Sequence, residues 1–86
     1  MFTADDIRER IHQRPFIPLR IVTSAGRTYD VFHPDLVMVG RRALIIGAAS
    51  SDNPALFETV TQVSLMHVTA LESLAAPPAP GGNGQQ

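Results

Sequence analysis

The stretch from Arg14 to Leu74 constrains the fold most strongly, because it consists of short β-branched segments separated by turn signals. Such spacing is typical of a small antiparallel sheet that bends sharply between short strands. A glycine or a proline stands at several of the breaks, as at Gly26, Pro34 and Gly40, where the chain is expected to turn. The predicted strands are 19–23, 28–32, 36–39, 43–47, 56–63 and 68–74.

The residues before this run predict an N-terminal helix over about positions 4–13. Thr3 is a good N-cap, because its hydroxyl can accept an amide hydrogen of the first turn. Asp6 stands three residues later, as in a capping box in which Asp replaces the usual Glu. Ile7 and Ile11 are one turn apart and should form the buried side of the helix.

The complete pattern predicts the α+β class, with the N-terminal helix packed on a five-stranded antiparallel SH3/Sm-like β-barrel or bent sheet. We expect one domain over residues 1–74. The Pro/Gly-rich residues 75–86 contain no large apolar side chain, so this tail is predicted to be disordered. Residues 36–46 are apolar on both faces of their predicted strands, and such strands are expected to be covered by the helix or by another subunit.

Composition limits the classes of function. The chain has 86 residues and no cysteine, which excludes a disulfide framework and a thiolate metal site. A chain of this size buries only about 60% of its unfolded surface, so a second copy would help to stabilise it. It begins without the basic and apolar regions of a signal peptide, and no apolar run approaches the length of a membrane span. We therefore expect a cytoplasmic protein with no membrane partner.

Charge is distributed unevenly along the chain, although its total is only −1. All seven basic residues are arginines within positions 1–42, a half with a net charge of +2, whereas positions 43–86 carry −3. Adjacent arginines at a predicted turn suit phosphate groups. One tyrosine and no tryptophan leave few platforms for base stacking, and the alternative is a solvated turn. The candidate nucleic-acid contacts are Arg20, Arg27, Arg41 and Arg42.

No sequence pattern indicates a catalytic site, and we predict no enzymatic activity and no cofactor. The glycines at turns are isolated and form no phosphate-binding loop. The histidine spacings match no metal-binding motif, although a metal shared by histidines distant in sequence is the alternative. His33 and His67 lie at predicted corners, and Asp35 stands two residues after His33. We expect these three residues to fix tight corners through hydrogen bonds.

The chain resembles a group of short uncharacterised bacterial proteins. The shared features are an N-terminal helix, a Pro-Phe-x-Pro-x-Arg-Ile segment at 15–21, a Gly-Arg turn at 26–27, a Val-x-His-Pro corner at 31–34 and an apolar end at 63–74. The resemblance covers about residues 5–74. It implies a common fold and brings no function with it.

A looser resemblance links the chain to Sm-like barrels of the bacterial Hfq type. Residues 18–26 resemble the first strand and turn of that family, and 65–68 (Leu-Met-His-Val) resemble its aromatic-Lys-His-Ala signature. The resemblance implies a ring-forming, RNA-binding barrel. Met66 replaces the lysine that contacts RNA in the family and Leu65 replaces the aromatic residue, while the corner at His33-Pro34 shortens the bent second strand. The shared parts are those that build the barrel.

These observations lead to one functional hypothesis with two alternatives. The leading hypothesis is a non-catalytic binding or assembly module that self-associates through strand edges, because the small apolar chain has no covalent staple and open edges must be paired or protected. The first alternative is an Sm-like RNA-binding ring that uses the arginines named above. The second is a small regulatory domain whose protein partner docks on the helix face.

Overall fold

The computed structural model describes residues 1–53 and 56–74. Helix α1 is followed by six strands, and two short 3₁₀-helices precede β3 and β6. The elements are α1 (Ala4–His12), β1 (Leu19–Thr23), β2 (Thr28–Val31), the first 3₁₀-helix (Pro34–Leu36), β3 (Val37–Val39), β4 (Ala43–Ala49), β5 (Phe57–Ser64), the second 3₁₀-helix (Leu65–His67) and β6 (Val68–Ser73). The predicted tail at 75–86 lies outside the described residues.

The strands form two antiparallel sheets of three strands each. Sheet A has the order β2-β1-β6, and sheet B has the order β3-β4-β5. In sheet A, Arg20 lies opposite Asp30 on one side and opposite Glu72 on the other. In sheet B, β4 and β5 pair over their whole length, with a register shift near Ala48. The α+β class predicted from the sequence is confirmed, whereas no closed barrel is present in the described part of the chain.

Each of the six strand segments predicted from the sequence overlaps an observed strand, whereas the count of five strands in the predicted barrel is wrong, since residues 1–53 and 56–74 contain six. The break that separates β2 from β3 lies at the corner predicted at His33-Pro34. Pro34 begins the first 3₁₀-helix, whose Leu36 amide donates to the His33 carbonyl over 3.1 Å. Proline has no amide hydrogen for a strand ladder, so β2 ends at Val31 and β3 begins at Val37 in the other sheet.

Helix α1 forms for the reasons visible in the sequence. The amide of Asp6 donates to the Thr3 hydroxyl over 3.1 Å, and the Thr3 amide donates to the Asp6 carboxylate over 2.9 Å. The predicted capping box is therefore confirmed. These hydrogen bonds to Thr3 also lower the pKa of Asp6. Ile7 and Ile11 are both buried, which fixes the side of the helix that faces the sheets.

Both sheets, the helix and the second 3₁₀-helix contribute side chains to one apolar core. In β1 its members alternate with half-buried residues. Phe2, Phe16 and Tyr29 are partly buried against it. The buried core residues are Ile7, Ile11, Leu19, Ile21, Val31, Val37, Leu44, Ile46, Val63, Leu65 and Val68.

The outer face of sheet B is apolar and exposed, although its strands were expected to be covered on both faces. Met38 and Ile45 lie opposite each other on β3 and β4. They are 66% and 38% exposed, while their neighbours Val37, Leu44 and Ile46 are buried. Helix α1 packs beside the core, where Ile7 and Ile11 are buried, and therefore does not cover this face.

The two faces of β4 generate a prediction about stability. Leu44→Ala should lower the free energy of unfolding by about 2–5 kcal/mol, because it leaves a cavity in the shared core. Ile45→Ala, one residue away on the outer face, should cost less than half as much. Chemical denaturation of dilute protein measures both values. Equal losses for the two variants would contradict the assignment of the faces.

Candidate functional site

Arg20, the first candidate contact for nucleic acid, is paired with a carboxylate of its own sheet. Its Nε and Nη2 donate to the two carboxylate oxygens of Asp30 over 2.7 and 3.2 Å, in a bidentate pair between β1 and β2. Glu72 lies opposite Arg20 on β6. Because Asp30 engages Nε and Nη2 and neutralises much of the charge, this guanidinium is less available to phosphate than a free arginine.

The pair between Arg20 and Asp30 changes the ionisation of both groups. The hydrogen bonds from Arg20 stabilise the ionised carboxylate and lower the pKa of Asp30. The same hydrogen bonds, with the nearby charge of Asp30, raise the pKa of Arg20. Both side chains are more than a third exposed, so the pair fixes the position of Arg20 more than it stabilises the fold.

Arg27 lies at the turn between β1 and β2, where Gly26 adopts a positive φ of 84°. Its backbone is fixed, because the Thr23 amide donates to the Arg27 carbonyl over 2.9 Å. Its side chain is exposed and lines a shallow cavity of about 340 Å³ together with Tyr29 and His67. This cavity combines one cation with one aromatic ring.

Arg41 and Arg42 lie together at the turn between β3 and β4, as the sequence predicted. Both are exposed. The Arg42 carbonyl accepts a hydrogen bond from the Leu65 amide over 2.8 Å, so this turn is attached to the second 3₁₀-helix. The four candidate arginines therefore lie at three places: Arg20 is within sheet A, Arg27 is at the β1–β2 turn, and the Arg41-Arg42 pair is at the β3–β4 turn.

The three predicted corner residues differ in their surroundings. His67 Nδ1 lies 3.3 Å from the Ser24 hydroxyl, and the His67 carbonyl accepts a hydrogen bond from the Ser24 amide over 2.8 Å. This contact attaches the β1–β2 turn to the second 3₁₀-helix. His33 and Asp35 are both exposed. In residues 1–53 and 56–74 the side chains of these two residues make no hydrogen bond to each other.

Two further classes of feature are missing from the described residues. No group of three or more His, Cys, Asp or Glu side chains in that part of the chain is arranged to hold a metal ion. No helix there is both long enough and apolar enough to span a membrane.

The open edge of β5 is a feature that sequence reasoning did not identify. Among the described strands, β5 pairs with β4 only. The Leu65 amide points to the Arg42 carbonyl, in register with the β4–β5 pairing. Because hydrogen-bonding directions alternate along an antiparallel strand, the backbone groups of Val60 and Gln62 point away from β4. They form an unpaired edge.

The side chains beside this edge are unusually apolar for an exposed surface. Val60 is 61% exposed. Phe57 is also exposed, and its ring lies against Gly47, where an added Cβ would approach within 3.2 Å of the ring. With Met38 and Ile45 of the same sheet, these side chains form a surface that we call the sheet B patch. Glu58 is the only charged residue of β5.

A second apolar surface adjoins the Arg41-Arg42 turn. A cleft of about 400 Å³ lies between the start of the chain, this turn and the second 3₁₀-helix. Met66, at its edge, is 66% exposed. We call it the Met66 cleft, and its lining residues are Met1, Phe2, Thr3, Ala4, Arg41, Arg42, Ser64, Leu65 and Met66.

Comparison with known proteins found no matching family model, curated protein or solved structure.

The Arg20–Asp30 pair yields a prediction about ionisation. In Arg20→Gln the pKa of Asp30 should rise toward the ordinary value for an aspartate, because the charged hydrogen bonds are lost. Carboxyl chemical shifts recorded across a pH titration measure this value. Arg27→Gln, at the nearby turn, is the control and should leave it unchanged.

The same pair predicts the direction of a pH effect on stability. A carboxylate with a lowered folded-state pKa contributes stability above its unfolded pKa and loses it as the pH falls through the folded value. The acid-induced loss of stability should therefore be smaller in Arg20→Gln than in the unmodified protein. An Asp30 pKa that is the same with and without Arg20 would contradict the pairing.

Proposed function

We propose that this protein is a non-catalytic assembly module that self-associates by pairing the edge of β5 with β5 of a second copy. The observation that supports the proposal most directly is the unpaired backbone of this strand beside the exposed sheet B patch. Proteins normally protect such edges with lysine, proline, bulges or very short strands. β5 has eight residues and no proline, and its segment 59–64 contains neither a charged residue nor the register shift found near the start of the strand.

Comparison of the strand edges favours β5. Edge strands β2 and β3 contain only four and three residues. The end of β6 lies beside helix α1, where Arg10 donates to the Ser73 hydroxyl over 3.0 Å. The register shift between β4 and β5 lies where Ala48 and Ala49 of β4 face the N-terminal end of β5, which leaves 59–64 regular. This segment is long enough to pair with a copy of itself.

A symmetric pair would satisfy two requirements at once. Antiparallel pairing of β5 with β5 supplies partners for the free amide and carbonyl groups of Val60 and Gln62. It also joins two copies of sheet B into one sheet of six strands, so that the two patches form one continuous surface. Two-fold symmetric dimers are the commonest oligomers, because one self-complementary surface suffices.

The arrangement of the two sheets also supports a more specific assignment of the fold. We propose that the two sheets are the halves of an SH3/Sm-like arrangement in which β2 and β3 correspond to one bent strand, interrupted at Pro34. Counted in this way, the chain has the five strands of that architecture. The 3₁₀-helix before the last strand, and one core shared by both sheets, support the assignment.

RNA binding is the alternative, and the geometry supports it less. Arg20 is engaged by Asp30, which leaves three of the four candidate arginines. Those three are divided between two turns, and the net charge of −1 supplies no general attraction for nucleic acid. The cavity lined by Arg27 and Tyr29 is the place where a base could stack beside a cation.

Disulfide trapping tests the self-association directly, because the chain contains no cysteine of its own. We would prepare Val60→Cys and Gln62→Cys, and oxidise each alone and as an equal mixture. Antiparallel pairing of β5 with itself places Val60 opposite Val60, Gln62 opposite Gln62, or Val60 opposite Gln62. Opposed Cα atoms then lie about 4.5–5.5 Å apart, which a disulfide can bridge. One of the three samples should give covalent dimers.

Thr28→Cys is the matched control, since Thr28 is exposed on edge strand β2 of the other sheet. It should stay monomeric under the same oxidation. Cross-linking of Thr28→Cys as efficient as that of the β5 variants would show that the disulfides form by random collision. A monomeric mass of the unmodified protein at all concentrations would overturn the proposal.

A further inference from the structure

The Met66 cleft combines an apolar wall with two arginines, and this combination carries an inference beyond self-association. Phe2 and Leu65 belong to or pack against the core and form the inner wall, while Met66 is largely exposed beside them. Methionine fills irregular space well, because it is flexible and polarisable. The cleft therefore presents apolar surface to solvent without a side chain of its own to fill it.

The guanidinium groups of Arg41 and Arg42 are free to bind an anion. The ion pairs found within the described residues join Arg8 to Asp5 and Arg20 to Asp30. In that part of the chain, neither Arg41 nor Arg42 makes a side-chain hydrogen bond or ion pair. Asp5, which lines a neighbouring cleft together with Arg41, is paired with Arg8, and the Asp6 carboxylate accepts a hydrogen bond from the Thr3 amide.

Backbone hydrogen bonds hold the walls of the cleft in position. The Leu65 amide donates to the Arg42 carbonyl over 2.8 Å and fixes the turn against the second 3₁₀-helix. The Thr3 amide donates to the Asp6 carboxylate over 2.9 Å and fixes the start of α1. A cleft whose walls are already fixed loses little entropy when a ligand enters.

We propose that the Met66 cleft binds an amphipathic anion, specifically a free alkyl carboxylate. The alkyl chain would lie along Phe2, Leu65 and Met66, where its burial removes apolar surface from water. The carboxylate would lie at the rim, where the Arg41 and Arg42 guanidinium groups donate charge-assisted hydrogen bonds. This ligand class is the one whose two parts match both parts of the cleft.

This inference does not depend on the proposed self-association. The cleft is built by the N-terminal residues, the Arg41-Arg42 turn and the second 3₁₀-helix, whereas the dimer is proposed at Val60 and Gln62 of β5. A variant that fails to dimerise can therefore still bind the ligand, and the reverse also holds.

Octanoate and octan-1-ol are the probes, because they share an alkyl chain and differ in charge. We expect saturable octanoate binding, with shifts of the Met66 methyl resonance in carbon–proton correlation spectra. The double variant Arg41→Ala plus Arg42→Ala should weaken octanoate binding at least about tenfold and leave octan-1-ol binding unchanged, since only the charged contacts are removed. Met66→Gln should weaken binding of both probes.

Arg27→Ala is the matched control, because it removes an exposed arginine from another turn and should leave octanoate affinity unchanged. Thermal unfolding of each variant shows whether the fold is kept. Absence of saturable octanoate binding, or an equal loss in Arg27→Ala, would overturn the proposal. Binding to anionic phospholipid vesicles without binding to free octanoate would also overturn it, since the arginines would then serve a lipid surface.

Discussion

The fold depends on one constraint, which is that two small sheets and one helix must share a single apolar core. A three-stranded sheet buries only one face, so neither sheet A nor sheet B can be stable unless the other covers it. The second 3₁₀-helix makes this arrangement possible. Its Leu65 side chain is buried in the shared core, its Leu65 amide binds the turn of sheet B, and its His67 carbonyl binds the turn of sheet A. Both turns therefore meet at the same three residues.

The surfaces of interest follow from what this core leaves uncovered. The buried apolar side chains of both sheets form the shared core. Sheet B carries further apolar side chains on its outer face, among them Met38 and Ile45, and these are exposed. The second 3₁₀-helix similarly buries Leu65 and exposes Met66. Because sheet B has apolar side chains on both of its faces, one core cannot bury all of its hydrophobic surface. We propose that partners cover the apolar surface that stays exposed, at the sheet B patch and at the Met66 cleft.

Local signals predicted the elements well, because they depend on neighbouring residues. The capping box of Thr3 and Asp6 fixed the start of α1, and the alternation along β1 fixed which residues are buried. The order of strands within the sheets depends on pairing between distant residues, which periodicity does not encode. The open edge of β5 could not be seen for this reason, and neither could the engagement of Arg20 by Asp30. The five-stranded barrel was wrong because the sequence located the corner at Pro34 without showing that it separates two sheets.

The most direct test of the account is amide hydrogen exchange at Val60 and Gln62, measured over a series of protein concentrations. Both amides point away from β4 and have no backbone partner within residues 1–53 and 56–74, and a second copy can supply one. The account predicts that their protection rises with concentration, while the amide of Val63, which lies on the β4 side, stays protected throughout. Fast exchange of Val60 and Gln62 at every concentration would contradict self-association through β5.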